Sequence, residues 1–146
     1  MRRIKLTLII VLVIFLTGCF SSASEGAEIT SPFGWRIHPL TGEWAFHSGI
    51  DIGYDLGEPI GAMNPGQVVY AAWYGGYGYT VIIAHDNGDY TLYGHCSQIL
   101  TKYGRYVGKG TVIATVGSTG NSTGPHLHLE YWHNGEYADP IVLWQE

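Results

Sequence analysis

The run Gly117 to Tyr131, GSTGNSTGPHLHLEY, joins a glycine-rich turn to a stretch with strand alternation. His126 and His128 alternate there with Leu127 and Leu129, so both imidazoles share one face and both leucines the other. Two imidazoles on a packed face need bonded partners, because an unpaired polar group is costly to bury. A hydrogen-bonded structural pair would satisfy that need, and so would a metal ion. Elsewhere the stretch HSGID places His47 and Asp51 four residues apart, and YGH ends an apolar-leaning strand at His95. Zinc takes neutral imidazole nitrogens or carboxylate oxygens, and a catalytic zinc keeps three protein ligands and one open position. His47, Asp51 and one member of the HxH pair fill three positions. His95 and the other member are then free to handle protons near the working pH.

The elements that must carry these residues read as strands. Gln67–Trp73, Tyr77–His85, Asp89–His95, Thr111–Val116 and His126–Trp132 are rich in β-branched and aromatic residues and are bounded by turn signals. Asn64-Pro65-Gly66 and Gly75-Gly76 read as turns, and Asn87-Gly88 and Asn134-Gly135 as hairpin turns. Ser97 to Tyr106 is ambiguous, with a single helical turn expected around Gln98-Ile99-Leu100. No internal repeat, amphipathic helix or alternating strand–helix rhythm is present. The run GSTGNSTG lacks the G-K-[ST] ending of a phosphate loop and enters a strand where a helix is required. The fold class is therefore all-β, a small antiparallel β domain with glycine-rich hairpin loops. Eleven tyrosines and five tryptophans exceed what a small core needs, and Tyr70, Trp73, Tyr74, Tyr77 and Tyr79 are candidates for a groove wall.

The chain opens with Met1-Arg2-Arg3-Ile4-Lys5 and an apolar run from Leu6 to Leu16, followed by Thr17-Gly18-Cys19. A basic start, a short apolar stretch and small residues describe a secretory signal. The run is short for a membrane span. Leu16-Thr17-Gly18-Cys19 also resembles a bacterial lipoprotein box. The expected organisation is a lipoprotein-type signal peptide over 1–18, a tether over 19–27 and one domain over 28–146. Cys19 would be lipidated and attach the exported protein to the membrane at the cell envelope. Removing Arg2, Arg3 and Lys5 with the signal leaves four basic residues against twelve acidic ones, a formal charge of −8. That balance does not suit nucleic acid, whose phosphates call for lysine and arginine, and points to a neutral or cationic substrate. With Cys19 committed to lipid, Cys96 has no disulfide partner, and alternation turns it away from His95 into apolar packing. Arg36 and His38 are candidates for substrate contact or for a structural rim. His85 reads as structural and His133 as surface. Glu130, on the face of His126 and His128, reads either as the partner of an imidazole or as a plain polar strand residue.

Taken together, SPFGWRIHP, HSGIDI, the P-I-x-A and G-x-V pair between Pro59 and Val68, YGHCS and GPHLHLE resemble the lysostaphin-type zinc metallopeptidases. The resemblance runs from about Ile29 to Leu143. It implies Zn2+ held by His47, Asp51 and His128, with His95 and His126 as the two catalytic, non-ligand histidines. It also implies a zinc endopeptidase acting on peptidoglycan peptides, in cross-links or stem peptides. His126 reads as the base and His95 as the oxyanion partner, an order the sequence leaves open. A non-catalytic wall-binding or scaffold lipoprotein of the same fold is the alternative, disfavoured by the complete set of five residues. Cys96, Gly94 and Leu129 depart from the commoner aliphatic residue, alanine and phenylalanine of the family, and none of the three is an expected ligand.

Overall fold

A computed structural model describes residues 28–38 and 41–144. The expected signal, the tether and Cys19 lie outside the described residues. Within them the chain forms β1 (Glu28–Ser31), β2 (Gly34–Ile37), β3 (Trp44–His47), β4 (Gly49–Gly53), β5 (Pro59–Gly61), β6 (Gly66–Trp73) and β7 (Tyr79–His85). It continues with β8 (Tyr90–Cys96), β9 (Gln98–Ile99), β10 (Tyr106–Val107), β11 (Val112–Thr115), β12 (His126–His133) and β13 (Glu136–Ala138). Among the described residues the only helical pieces are two 3-10 turns, Gly75–Tyr77 and Pro140–Trp144. The all-β reading holds.

The strands make three antiparallel sheets. The largest has the order β1-β4-β12-β8-β7-β6-β10 with β13 added beside β12, the second is β5-β11-β9, and β2-β3 is a separate ribbon. Alternation explains where the core sits. Ile50 and Ile52 of β4 and Leu127 and Leu129 of β12 point to one face, where they pack with Val68, Val81, Ile83 and Tyr93 and with Ile60, Ile113 and Ala114 of the second sheet. Each fully buried aliphatic side chain contributes about 1.5–3 kcal/mol. The opposite face of β4 and β12 is left for Asp51, His126, His128 and Glu130.

Three local readings need correction. Gln98-Ile99 is a strand, not a helical turn: Ala114 and Thr115 of β11 pair with Ile99 and Gln98, and the Leu100 amide donates to the Ile113 carbonyl at 2.8 Å. The open edge of β11 satisfies backbone groups that an isolated turn would have had to satisfy alone. Gly75-Gly76 belongs to a 3-10 turn, and the strand after it starts at Tyr79 rather than Tyr77. Of the proposed groove wall, Tyr77 alone lines the central cleft; Tyr74 stacks on it at 5.6 Å, Tyr70 packs against Tyr74, and Trp73 and Tyr79 pair in the solvent.

The remaining histidines have structural partners. His85 donates from Nδ1 to the Pro65 carbonyl at 2.8 Å and meets Thr91 at 2.9 Å through Nε2. His133 is half exposed, with Nδ1 3.0 Å from the buried carboxylate of Asp89. Cys96 lies wholly in the core, and burial pushes its thiol up to about 12. At pH 8 almost none of it is thiolate, the reactive form. Alkylation of the native protein followed by peptide mapping should therefore leave Cys96 unmodified until denaturant is added; fast native labelling would contradict this packing.

Candidate metal centre

The register of β12 between β4 and β8 builds the site. His128 lies opposite Asp51 on one side and Gly94 on the other, and residues paired in this way share a face. His47 arrives from the end of β3, with Ser48 alone between it and the start of β4. Gly49 makes this junction possible: a Cβ there would stand 2.2 Å from the Leu129 carbonyl oxygen and 3.1 Å from Cγ of Glu130. The bare backbone lets β4 close on β12 and leaves room for the Glu130 side chain.

The nitrogen protons can be assigned from the partners. His47 Nδ1 lies 2.8 Å from the Pro32 carbonyl, which can only accept, so Nδ1 carries the proton and Nε2 the lone pair. His128 stands between two carboxylates, Nε2 3.3 Å from Glu130 and Nδ1 2.8 Å from Asp51, and the neutral ring that keeps its proton on Nε2 turns the lone pair of Nδ1 to the cluster. His47 Nε2, His128 Nδ1 and Asp51 Oδ1 then converge: 3.2 Å between the nitrogens, 3.2 Å from His47 to Asp51 and 2.8 Å from His128 to Asp51. Three lone pairs aimed at one point call for a cation. A tetrahedral zinc with ligand bonds of about 2.0–2.1 Å sets its ligand atoms roughly 3.3–3.4 Å apart, close to the spacing seen here. The donor set, two neutral imidazoles and one carboxylate within 4.8 Å of one another, fits Zn2+. Burial works against charge on Asp51, yet His128 and His47, when protonated on the nitrogens that face it, donate to its carboxyl and hold it far below the usual carboxylate range.

Glu130 is the partner of an imidazole. It is fully buried, and its carboxylate accepts from Ser48 Oγ, from Tyr77 at 2.8 Å, from Trp132 Nε1 at 3.0 Å and from His128. Burial opposes its charge, but the bonds from His128 and Ser48 outweigh that and keep the carboxyl below its ordinary range. Burial likewise opposes charge on His128, and the bonds to Asp51 and Glu130 raise its pKa. Three donors besides the imidazole, on Ser48, Tyr77 and Trp132, fix the carboxylate that holds the ring with its Nδ1 towards the ligand cluster. Alternation identified Glu130 as a candidate; Tyr77 was legible only as a groove wall, and Ser48 and Trp132 carried no sequence signal, because their bonds to Glu130 depend on strand packing.

His95 and His126 stand beside this cluster, their ring centres 4.7 Å apart. His126 Nδ1 donates to the Gly124 carbonyl at 2.8 Å, and its Nε2 is 3.7 Å from Asp51 Oδ1. His95 Nδ1 donates to the Thr119 carbonyl at 2.7 Å. Both neutral rings therefore carry their lone pairs on Nε2. Regular alternation from Gly94 would have sent His95 into the core with Tyr93. Instead His95 takes a left-handed backbone, φ 60°, which turns the imidazole to the cleft and Cys96 to the core. Such a residue costs on the order of 1–3 kcal/mol and persists only where its surroundings enforce it. Here Thr119 does so, holding His95 through its carbonyl and the Cys96 carbonyl through its hydroxyl at 2.7 Å. Gly120, φ 72°, lets the loop dock: a Cβ there would meet the Gly76 carbonyl at 2.3 Å. Burial, with nearby His126 and His128, pushes His95 down to about 4, and the Thr119 carbonyl offsets only part of that.

All five expected residues line one cleft of about 250 Å³, with Arg36, Tyr77 and the Asn121-Ser122-Thr123 turn. The sequence model described as Peptidase family M23 matches residues 45–140. The chain is 46% identical over 116 residues to the DD-carboxypeptidase/endopeptidase Mpg of Neisseria meningitidis serogroup B, an alignment covering 80% of this chain and 27% of that protein. The chain spans about a quarter of the length of the curated relatives it matches. It resembles the catalytic domain of the antimicrobial peptidase lysostaphin from Staphylococcus simulans with a TM-score of 0.75 at 29% identity, over 84% of this chain and 95% of that one. A zinc-containing peptidase from Vibrio cholerae gives 0.71 at 36% identity, over 76% of this chain and 35% of that one.

The support from Glu130 is open to measurement. Glu130→Gln keeps the shape but replaces a four-fold acceptor with a group that is half donor. Zinc affinity, read by competition with a chelator, should fall roughly ten- to hundredfold while the far-UV spectrum stays that of the parent. An unchanged affinity would mean that Glu130 does not hold His128.

Proposed function

The chain belongs to peptidase family M23, and from that premise we propose that it is a zinc-dependent endopeptidase hydrolysing peptide bonds in peptidoglycan cross-links or stem peptides. The observation that carries this reading is the convergence of three lone pairs, on His47, Asp51 and His128, beside two further imidazoles whose Nε2 atoms are free of backbone partners. The DD-carboxypeptidase/endopeptidase activity named for the Neisseria relative supports an endopeptidase, and the peptidoglycan DD-endopeptidase activity named for the relative ShyC of Vibrio cholerae supports the substrate class.

His47, Asp51 and His128 would hold the ion. When bound, zinc supplies Lewis acidity, polarising the scissile carbonyl and bringing the pKa of water at the site towards about 7. The protein's own part is positional and protonic. Pro32 and Glu130 keep the two ligand imidazoles in the tautomers that face inward. The His126 ring, tied to Gly124, presents its Nε2 lone pair to the attacking water and takes its proton. His95 stabilises the oxyanion only when Nε2 also carries a proton. Burial resists that charge at rest, and the negative charge developing in the transition state favours it. Tyr77 and the Asn121-Ser122-Thr123 turn form the polar walls along which a peptide backbone can lie.

We also propose export to the cell envelope and attachment to the membrane through a lipid on Cys19, with residues 19–27 as the tether to a domain over 28–146. The basic start, the apolar run and Leu16-Thr17-Gly18-Cys19 support this. Among the described residues no helix is long and apolar enough to cross a membrane.

Digestion of purified peptidoglycan, read by mass spectrometry of the released fragments, tests the activity. His128→Ala should lose both bound zinc and fragment release. His126→Ala and His95→Ala should keep about one zinc per chain, as a three-ligand site requires, and lose roughly 10²–10⁴-fold in turnover. Zinc binding that survives the single loss of His47, Asp51 and His128 would refute the ligand assignment. A zinc-loaded wild type that binds walls and releases nothing would favour the scaffold reading.

A further inference from the structure

We propose that Arg36 is the specificity-determining residue of the cleft, its guanidinium binding a free carboxylate on a residue that flanks the scissile bond; this rests on the peptidase reading above. Arg36 sits in β2 opposite Ala45 of β3. Its strand neighbours Trp35 and Ile37 are 63% and 65% exposed on the outer face of the ribbon. Alternation turns Arg36 the other way, into the cleft, where its side chain is 19% exposed.

Two features single it out. Nη2 is 3.7 Å from Asp51 Oδ2, on the opposite carboxylate oxygen from the one that faces His47 and His128. That distance is too long for a hydrogen bond. Nε is buried and has no hydrogen-bond partner. The Nε–Nη2 edge of a guanidinium is the fork that takes a carboxylate through two parallel bonds, and here that edge is desolvated and unfilled. Asp51 does not fill it, because Oδ2 stands 3.7 Å from Nη2 and Oδ1 is turned to His47 and His128. A bound cation would draw on the same carboxylate and leave Arg36 less compensated still.

Position then fixes the kind of group. Arg36 lines both the central cleft and an adjoining recess of about 400 Å³ formed with Thr30, Ser31, Thr123, Gly124 and His126. It therefore marks the point where a peptide would pass from one to the other. A scissile carbonyl lying over His47, Asp51 and His128 brings only its flanking residues within reach of the guanidinium. Among the described residues Arg36 is the only lysine or arginine lining either recess, so a substrate anion there has one cation to meet.

The full chain, loaded with zinc, can be given a stem-peptide substrate carrying free carboxylates and two versions in which the carboxylate on one or the other side of the scissile bond is a carboxamide. Wild type should lose roughly ten- to hundredfold in kcat/KM with one of the two carboxamides, the range for a charge-assisted pair. Arg36→Gln should lose that much with the free acid, so that its acid-to-amide preference falls towards one. Arg36→Lys, which keeps the charge and not the fork, should retain part of the preference. Calorimetric binding of the same peptides in a His126→Ala background should show the same ratios without turnover. Wild type indifferent to both carboxamides, or Arg36→Gln with an intact preference, overturns the assignment. So does loss of zinc in Arg36→Gln, since Arg36 would then act by positioning Asp51. A wild type that cuts none of the peptides refutes the peptidase reading instead, and the binding ratios continue to judge Arg36.

Discussion

One antiparallel register holds this site together: Asp51 of β4 opposite His128 of β12, with Ile50 opposite Leu129 and Ile52 opposite Leu127 one step to either side. Because side chains alternate, a slip of one residue would drive both imidazoles into the core and both leucines into the cleft. The burial of Ile50, Ile52, Leu127 and Leu129 forbids that slip. The ligand atoms contribute nothing comparable, since three converging lone pairs repel until a cation joins them. The site is thus held open for its ion by apolar packing on the far side of the same two strands.

The second device is a glycine-edged loop. β12 supplies two of the four histidines by alternation alone, but His95 reaches the cleft against alternation, through a left-handed residue at the end of β8. The loop from Gly117 to Gly124 makes that conformation stable, bonding His95 through Thr119 and His126 through Gly124. Its own position is set where the Asn121 amide donates to Gly76 at 2.7 Å and where Gly120 meets the same turn without a side chain. The two non-ligand imidazoles therefore share one support, separate from the Pro32 and Glu130 bonds that orient the ligand rings. Such a division lets the ligand cluster and the two imidazoles beside it be rigid for independent reasons.

The all-β class, the hairpins at Asn87-Gly88 and Asn134-Gly135, and the HxH face were legible because each depends on period-two alternation or on local turn chemistry. His47 and Asp51 were legible as a pair because metal ligation restricts residue type as well as spacing. What the sequence hid is what depends on tertiary contact. Gln98-Ile99 has no strand pattern of its own and is extended only because β11 offers an edge. Trp132 looks like any surface aromatic, and Tyr77 only like part of a groove wall, until Glu130 is seen to need donors. Alternation also placed Cys96 in the core by an argument that assumed a regular strand; the cysteine is buried, but through the left-handed turn at His95.

Net charge misleads for a related reason. An acidic chain suggests a neutral or cationic substrate, yet charges spread over a surface are screened over about 8–10 Å at ordinary ionic strength, and a cleft answers to its own lining. Inside it, a dication at the ligand cluster would be balanced by Asp51 and the buried Glu130, which leaves the Arg36 guanidinium as the uncompensated charge. A short-range fork then accepts an anion that arrives attached to a peptide, whatever the net charge of the chain around it. The sign of a binding site follows from the few groups that face the ligand, and here that sign is opposite to that of the chain.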